Sequence, residues 1–216
     1  MKIVDFSKTN TVINQFILEL RDKNIQQNRL LFRNNVERIG MLMAFEASKE
    51  LDYETKNVET VLGTAQCNVP TDDIVLCTIM RAGLPFHQGF LNIFDKAENA
   101  FVSAYRAYTD ETHFEIHTEY LASPRIDGKT LMIVDPMLAT GSSIETTLHV
   151  MQSKGTPKRV IIASVIAAEP AFDKLRGCLP EDSIVYCAAV DDVLNEHKYI
   201  VPGLGDAGDL LYGTKE

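Results

Sequence analysis

Asp135 closes a run of apolar residues, Leu131 to Val134, and is followed by Pro136, Met137, Leu138, Ala139, Thr140, Gly141, Ser142 and Ser143. An acid, three hydroxyls and a glycine in so short a stretch offer acceptors to ligand hydroxyls and donors to an anion. Gly141 lets the backbone approach closely. If the apolar run is a strand and Ile144 to Lys154 a helix, the helix also brings unsatisfied N–H groups and its positive dipole end to the same place. An ordinary helix capped by Ser142 or Ser143 produces the same pattern, so both readings stand on these residues alone. The stretch is neither a Walker loop nor a dinucleotide-binding Gly-x-Gly-x-x-Gly.

Two further segments could do chemistry. Arg81-Ala82-Gly83 ends the apolar run Ile74 to Met80, which presents a forked cation at a strand terminus. Near the end of the chain, Tyr199-Ile200-Val201-Pro202-Gly203-Leu204-Gly205-Asp206-Ala207-Gly208-Asp209 is too glycine-rich for a stable strand or helix. It reads as a turning loop with accessible backbone groups, docked by Ile200, Val201, Leu204 and Leu211.

The elements that must position these segments follow from apolar spacing. Val12, Phe16, Ile17 and Leu20, then Leu31, Val36, Ile39, Leu42 and Met43, recur at helical intervals and predict a helical N-terminal arm over 1–57, with a polar break from Leu51 to Asn57. Val58 to Val69 reads as a strand interrupted at Gly63. Short buried strands at 74–80, 100–105, 131–134, 160–167 and 184–190 alternate with helical stretches. That alternation predicts an α/β fold, a mostly parallel sheet flanked by helices. Phe114, Ile116, Thr118 and Tyr120 alternate and predict a projecting β-hairpin over about 105–123. There is no internal repeat, low-complexity tract or linker, so 1–216 reads as a single domain, with 199–216 its ligand-facing tail.

The 216 residues carry 21 Lys+Arg against 30 Asp+Glu, a net charge of −9. That balance disfavours nucleic acid and anionic membrane as partners, but not a small anion held by local groups. The N-terminus lacks the features of a secretory signal and no apolar run is long enough to span a bilayer, so a cytoplasmic protein is expected. Cys67, Cys77, Cys178 and Cys187 are scattered and read as buried free thiols. His113 and His117, four apart on an alternating segment, read as a strand's polar face rather than metal ligands. His87 and His149 are expected to pack or face water, and Asp191-Asp192 to form a solvated loop.

The wording Asp135-Pro136-Met137-Leu138-Ala139-Thr140-Gly141 resembles the phosphoribosyl-pyrophosphate loop of the uracil phosphoribosyltransferase family, and Arg81-Ala82-Gly83-Leu84, Tyr105-Arg106 and the glycine-rich tail resemble its other motifs. The resemblance runs from about Arg33 to Thr214. It implies conversion of uracil and 5-phosphoribosyl 1-diphosphate (PRPP) to UMP and diphosphate in pyrimidine salvage. In that reading the 135–143 loop holds the ribose and 5-phosphate, Arg81 and Arg106 contact the diphosphate, and Ile200 with Gly205, Asp206 and Ala207 meets the base. A fixed backbone there would complement uracil and reject cytosine, whose amino group reverses the pattern. Asp135 and Asp206 join the two arginines as the residues implied in catalysis, Asp206 near the donor and its Mg²⁺, which would arrive bound to PRPP. The family further implies a homodimer or homotetramer and GTP as a possible activator. Ser142 stands where the family usually has Gly, Leu210 where it has a basic residue, and Ala107-Tyr108 where it has Asn-Glu.

Overall fold

The structure, a computed structural model, describes residues 1–108 and 114–214, and the side chains of all of these except 104–108 and 114–116. The elements run β1 (Lys2–Asp5), α1 (Ile13–Arg21), α2 (Arg29–Ala47), β2 (Tyr53–Thr60), β3 (Gly63–Pro70), β4 (Ile74–Ile79), α3 (Leu84–Leu91), β5 (Glu98–Tyr108) and β6 (Phe114–Ala122). They continue with β7 (Thr130–Val134), β8 (Met137–Leu138), α4 (Ser142–Met151), β9 (Arg159–Ala168), α5 (Glu169–Cys178), β10 (Ile184–Asp191), β11 (Val193–Leu194), β12 (Ile200–Val201) and α6 (Ala207–Tyr212).

The main sheet has the order β1-β10-β9-β7-β4-β5-β6, with the short β8 continuing alongside β9. Every pairing in it is parallel except β5 with β6. All five residues of β7 are buried, and β9 is buried throughout but for its first residue. Such unbroken apolar strands belong where both sheet faces are covered. On one face lie α1, α2 and α3, through Ile17, Leu20, Val36, Ile39, Met43, Phe86 and Phe90. On the other lie α4 and α5, through Ile144, Met151, Phe172 and Leu175. The α/β expectation therefore holds.

Several local expectations are corrected. The N-terminal segment is not helical throughout: Lys2 to Asp5 forms an edge strand parallel to β10, too short to show a period in sequence. The stripe α1 buries is Ile13, Ile17 and Leu20; Val12 is exposed, and Phe16 lies half-buried beneath the Arg38 guanidinium. The polar break at 51–57 and the interrupted strand at 58–69 are one antiparallel hairpin, β2–β3, whose turn displays Val61 and Leu62. Its sides are almost wholly solvated, so alternation had no buried face to mark. The hairpin expected at 105–123 is the β5–β6 pair, an antiparallel margin of the main sheet that begins at Glu98 and runs on past the end of β4. His113 lies outside the described residues; His117 is exposed on β6, as is His149 on α4. His87 is buried, its Nε2 2.7 Å from Asn99 Oδ1. None of the four cysteines is in a disulfide; Cys77 and Cys187 are buried as expected, but Cys178 is half-buried and Cys67 is exposed on the hairpin.

The amino ends of the central strands are tied by one buried carboxylate. The Asp72 side chain, wholly buried, meets Lys158 Nζ at 2.6 Å and accepts from Arg159 Nη1 at 3.1 Å, Thr130 Oγ1 at 2.6 Å and the Asp52 N–H at 2.6 Å. Asp72→Ala is expected to lower unfolding stability by about 3 kcal/mol, since it strands partly buried cations and donors. Urea denaturation measures this.

Candidate active site

β4 and β7 are neighbours, yet their connections part: β4 leads through α3 to β5 on one side, β7 through α4 to β9 on the other. Connections that diverge in this way leave a crevice at the carboxyl ends of the strands, where open α/β sheets bind ligands. A cleft of about 410 Å³ opens there. It brings together Arg81 from the end of β4, Asp135, Met137 and Ala139 from the loop after β7, and Ile200, Gly205, Asp206 and Ala207 from the tail. Three segments remote in sequence thus share one wall.

A second, small hollow of about 50 Å³ adjoins it, lined by Asp135 and by Met137 through Ile144. Here α4 begins. Its cap, Gly141, has φ +76°, a left-handed conformation natural to glycine, whereas Ser142 is already the first helical residue. A side chain at 142 is thereby accommodated: the residue requiring glycine is its predecessor. Thr140 Oγ1 accepts from the Ser142 N–H at 3.3 Å and shares a hydrogen bond with Ser142 Oγ at 3.0 Å. Lys174 Nζ, from α5, donates to Ser142 Oγ at 2.9 Å and pairs with Glu145 at 3.3 Å. Lys174 was not among the residues expected here, because nothing in its local sequence relates α5 to this loop. Ser143 is exposed, while Pro136 is buried and accepts from the Ile166 N–H at 3.0 Å, which anchors the loop to β9.

Arg81 faces the cleft but is already engaged. Its Nη2 donates to Asp209 Oδ1 at 3.0 Å and to the Gly213 carbonyl at 2.9 Å, while its buried Nε–H has no partner among the described residues. A buried donor without an acceptor is uncommon, and here it belongs to a cation beside an open cleft. Arg106 lies on β5 opposite Ile116, with its side chain outside the description.

The tail is not loop throughout. Asp206 caps α6 by accepting from the Asp209 N–H at 3.0 Å, so Gly208 sits in a short helix. Leu210 is half-buried on that helix and packs against the core. Asp191, expected in solvent, is the buried last residue of β10, bound by Arg21 and by the Gly203 N–H. An Asp-Asp dipeptide looks solvated in sequence; a cation from a distant helix reverses that.

The electrostatics single out Asp135. Burial pushes its carboxyl up to about 7, only partly opposed by the N–H of Met137 at 3.3 Å. Among the described residues no cluster of three or more His, Cys, Asp or Glu side chains is arranged to hold a metal.

The chain matches the family model described as uracil phosphoribosyltransferase over residues 7–214. It belongs to the uracil phosphoribosyltransferase family. It is 53% identical over 215 residues, and the full length of both chains, to a uracil phosphoribosyltransferase of Porphyromonas gingivalis, and 36% identical to one of Methanothermobacter thermautotrophicus over 99% of this chain and 95% of that one. Among solved structures it resembles the AQ2163 protein from Aquifex aeolicus, with TM-score 0.84 and 30% identity over 99% of each chain. A hypoxanthine phosphoribosyltransferase from Staphylococcus aureus, at TM-score 0.51 and 13% identity over 75% of this chain and 76% of that one, shares the fold alone. The family match begins well before Arg33, where the motif resemblance starts.

A carboxyl whose pKa is higher in the folded than in the unfolded chain adds stability below its ordinary value of 3.8 and loses it as pH rises through 7. Asp135→Asn removes that charge. The variant should therefore gain stability relative to wild type between pH 4 and pH 7, by on the order of 4 kcal/mol at the upper plateau. Denaturation at pH 4.5, 6 and 7.5 checks this; an offset independent of pH would contradict it.

Proposed function

We infer that this protein transfers the 5-phosphoribosyl group of PRPP to N1 of uracil, giving UMP and diphosphate. The observation that carries the reading is the convergence of Arg81, the Asp135 loop and the glycine-rich tail on one cleft, in a chain of the uracil phosphoribosyltransferase family. In this reading the ribose 5-phosphate lies against Thr140, Gly141, Ser142 and Ser143 at the start of α4, where hydroxyls and free N–H groups offer donors. Asp135 accepts from the ribose hydroxyls. The Arg81 Nε, without a partner among the described residues, and the Ala82 backbone face the diphosphate, with Arg106 as the second cation. Ile200 and Gly205 to Ala207 border the base.

The anomeric carbon passes through an oxocarbenium-like state as uracil N1 approaches and the diphosphate departs. The chain's contribution is to align the two reactants and to hold the charge that develops on the departing diphosphate. Mg²⁺, carried in with PRPP, would neutralise part of that charge. Asp135 and Asp206, both on the cleft wall, supply the oxygen donors such a hard cation prefers, directly or through water.

Assembly into a homodimer or homotetramer is supported by the exposed β2–β3 hairpin with its apolar turn and by Leu18, Leu30 and Phe45 displayed on α1 and α2. GTP as activator rests on the family resemblance. No helix among the described residues is long and apolar enough to cross a membrane.

Diphosphate release in the presence of PRPP and Mg²⁺ should depend on uracil and be absent with cytosine or orotate. Its absence with uracil would overturn the assignment. Asp206→Asn retains the α6 cap oxygen while removing the charge, and should cut kcat by about 100-fold or more with the folding midpoint preserved.

A further inference from the structure

The backbone that meets the base is held by residues that do not touch the cleft. Asp191 ends β10, and Arg21 ends α1. Arg21 grips the buried Asp191 carboxylate with both terminal nitrogens, at 2.7 and 2.9 Å. Between them they also take both backbone groups of Gly203. The Gly203 N–H donates to Asp191 Oδ2 at 2.9 Å, and its carbonyl accepts from Arg21 Nη1 at 3.1 Å. Gly203 has φ +59°, and a Cβ there would lie 2.1 Å from the Ile200 carbonyl oxygen, so the chain turns at this point in a way other residues resist. One residue on, Gln26 Nε2 donates to the Leu204 carbonyl at 3.2 Å and to the Leu20 carbonyl at 2.8 Å. Leu204 itself is buried in the core.

Arg21, Gln26 and Asp191 are absent from the lining of the main cleft, whereas Gly205, Asp206, Ala207 and Gly208, immediately beyond the clamped pair, line it. Bidentate guanidinium–carboxylate contact in a buried setting is directional as well as strong. Recognition of a base edge by backbone groups tolerates little displacement, on the order of 0.5 Å.

Resting on the reading of this chain as a uracil phosphoribosyltransferase, we propose that Arg21, Asp191 and Gln26 are positioning residues for base recognition. They lock Gly203 and Leu204 so that the backbone at Gly205 to Ala207 is presented in register with the uracil edge. The N-terminal segment thus sets base specificity without contacting the base. The phosphate loop hangs from β7 and α4 and, among the described residues, has no hydrogen bond to this clamp, so its hold on the 5-phosphate is independent of it.

The test is steady-state kinetics of Arg21→Lys, Asp191→Asn and Gln26→Ala beside wild type, with uracil and PRPP varied separately and cytosine as competing base. Lysine keeps the charge but not the fork. Arg21→Lys and Asp191→Asn should raise the KM for uracil about ten-fold, and Gln26→Ala about three-fold. The KM for PRPP should stay within about three-fold, and the preference for uracil over cytosine should fall. A uracil KM unchanged in the variants, or a rise in both KM values together, or a fall in kcat alone, would overturn the proposal and leave the clamp a structural tie. Should either buried variant fail to fold, Gln26→Ala, which deletes only an amide, decides the matter by the same readings. Wild-type protein without uracil-dependent turnover would instead refute the underlying activity, a result visible before any variant is compared.

Discussion

A parallel sheet can only return its chain over one face or the other, and where two adjacent strands send their chains opposite ways nothing closes the space at their carboxyl ends. In this protein that constraint falls between β4 and β7. Arg81 leaves one strand and Asp135 the other, so the two groups line one cleft although they are far apart in sequence. The helices reinforce the arrangement: α3 and α4 begin beside the gap, and the first turn of α4 contributes donors to it. The crevice exists because of topology, and its chemistry because of which residues stand at the strand ends.

Charge within the crevice is partly offset by the chain's own groups. Arg81 is partly countered by Asp209, and burial holds the Asp135 carboxyl near neutrality. A net charge of −9 therefore says little about the site, because the donors that would face a phosphorylated ligand are local: one guanidinium edge, hydroxyls and the N–H groups of a helix start. Ser142 fits the same account. It occupies a helical position, and its hydroxyl is held between Thr140 and Lys174.

The third wall depends on the opposite end of the chain. β1 joins the sheet edge next to β10, which places α1 above the end of β10 and brings Arg21 to Asp191 and Gly203. A glycine-rich tail would lose much entropy on ordering; here Asp206 caps its short helix, Leu204 and Leu211 are buried, and Arg33 donates to the Leu211 carbonyl at 2.9 Å.

Much of this was legible in the residues alone. Continuous apolar runs mark β4, β7, β9 and β10, and the motifs ending β4 and β7, with the tail, name every described residue on which the proposed chemistry rests. Such signals are local: an apolar run, an acid at its end and a glycine before a helix are set by neighbours in sequence. The β2–β3 hairpin was obscured because neither of its faces is buried, and β1 because four residues are too few for a pattern. What only the tertiary structure decided is which distant groups pair. Arg81 with Asp209, Lys174 with Ser142 and Arg21 with Asp191 are contacts across more than thirty positions, and no periodicity encodes a partner whose approach is set by how helices pack on the sheet.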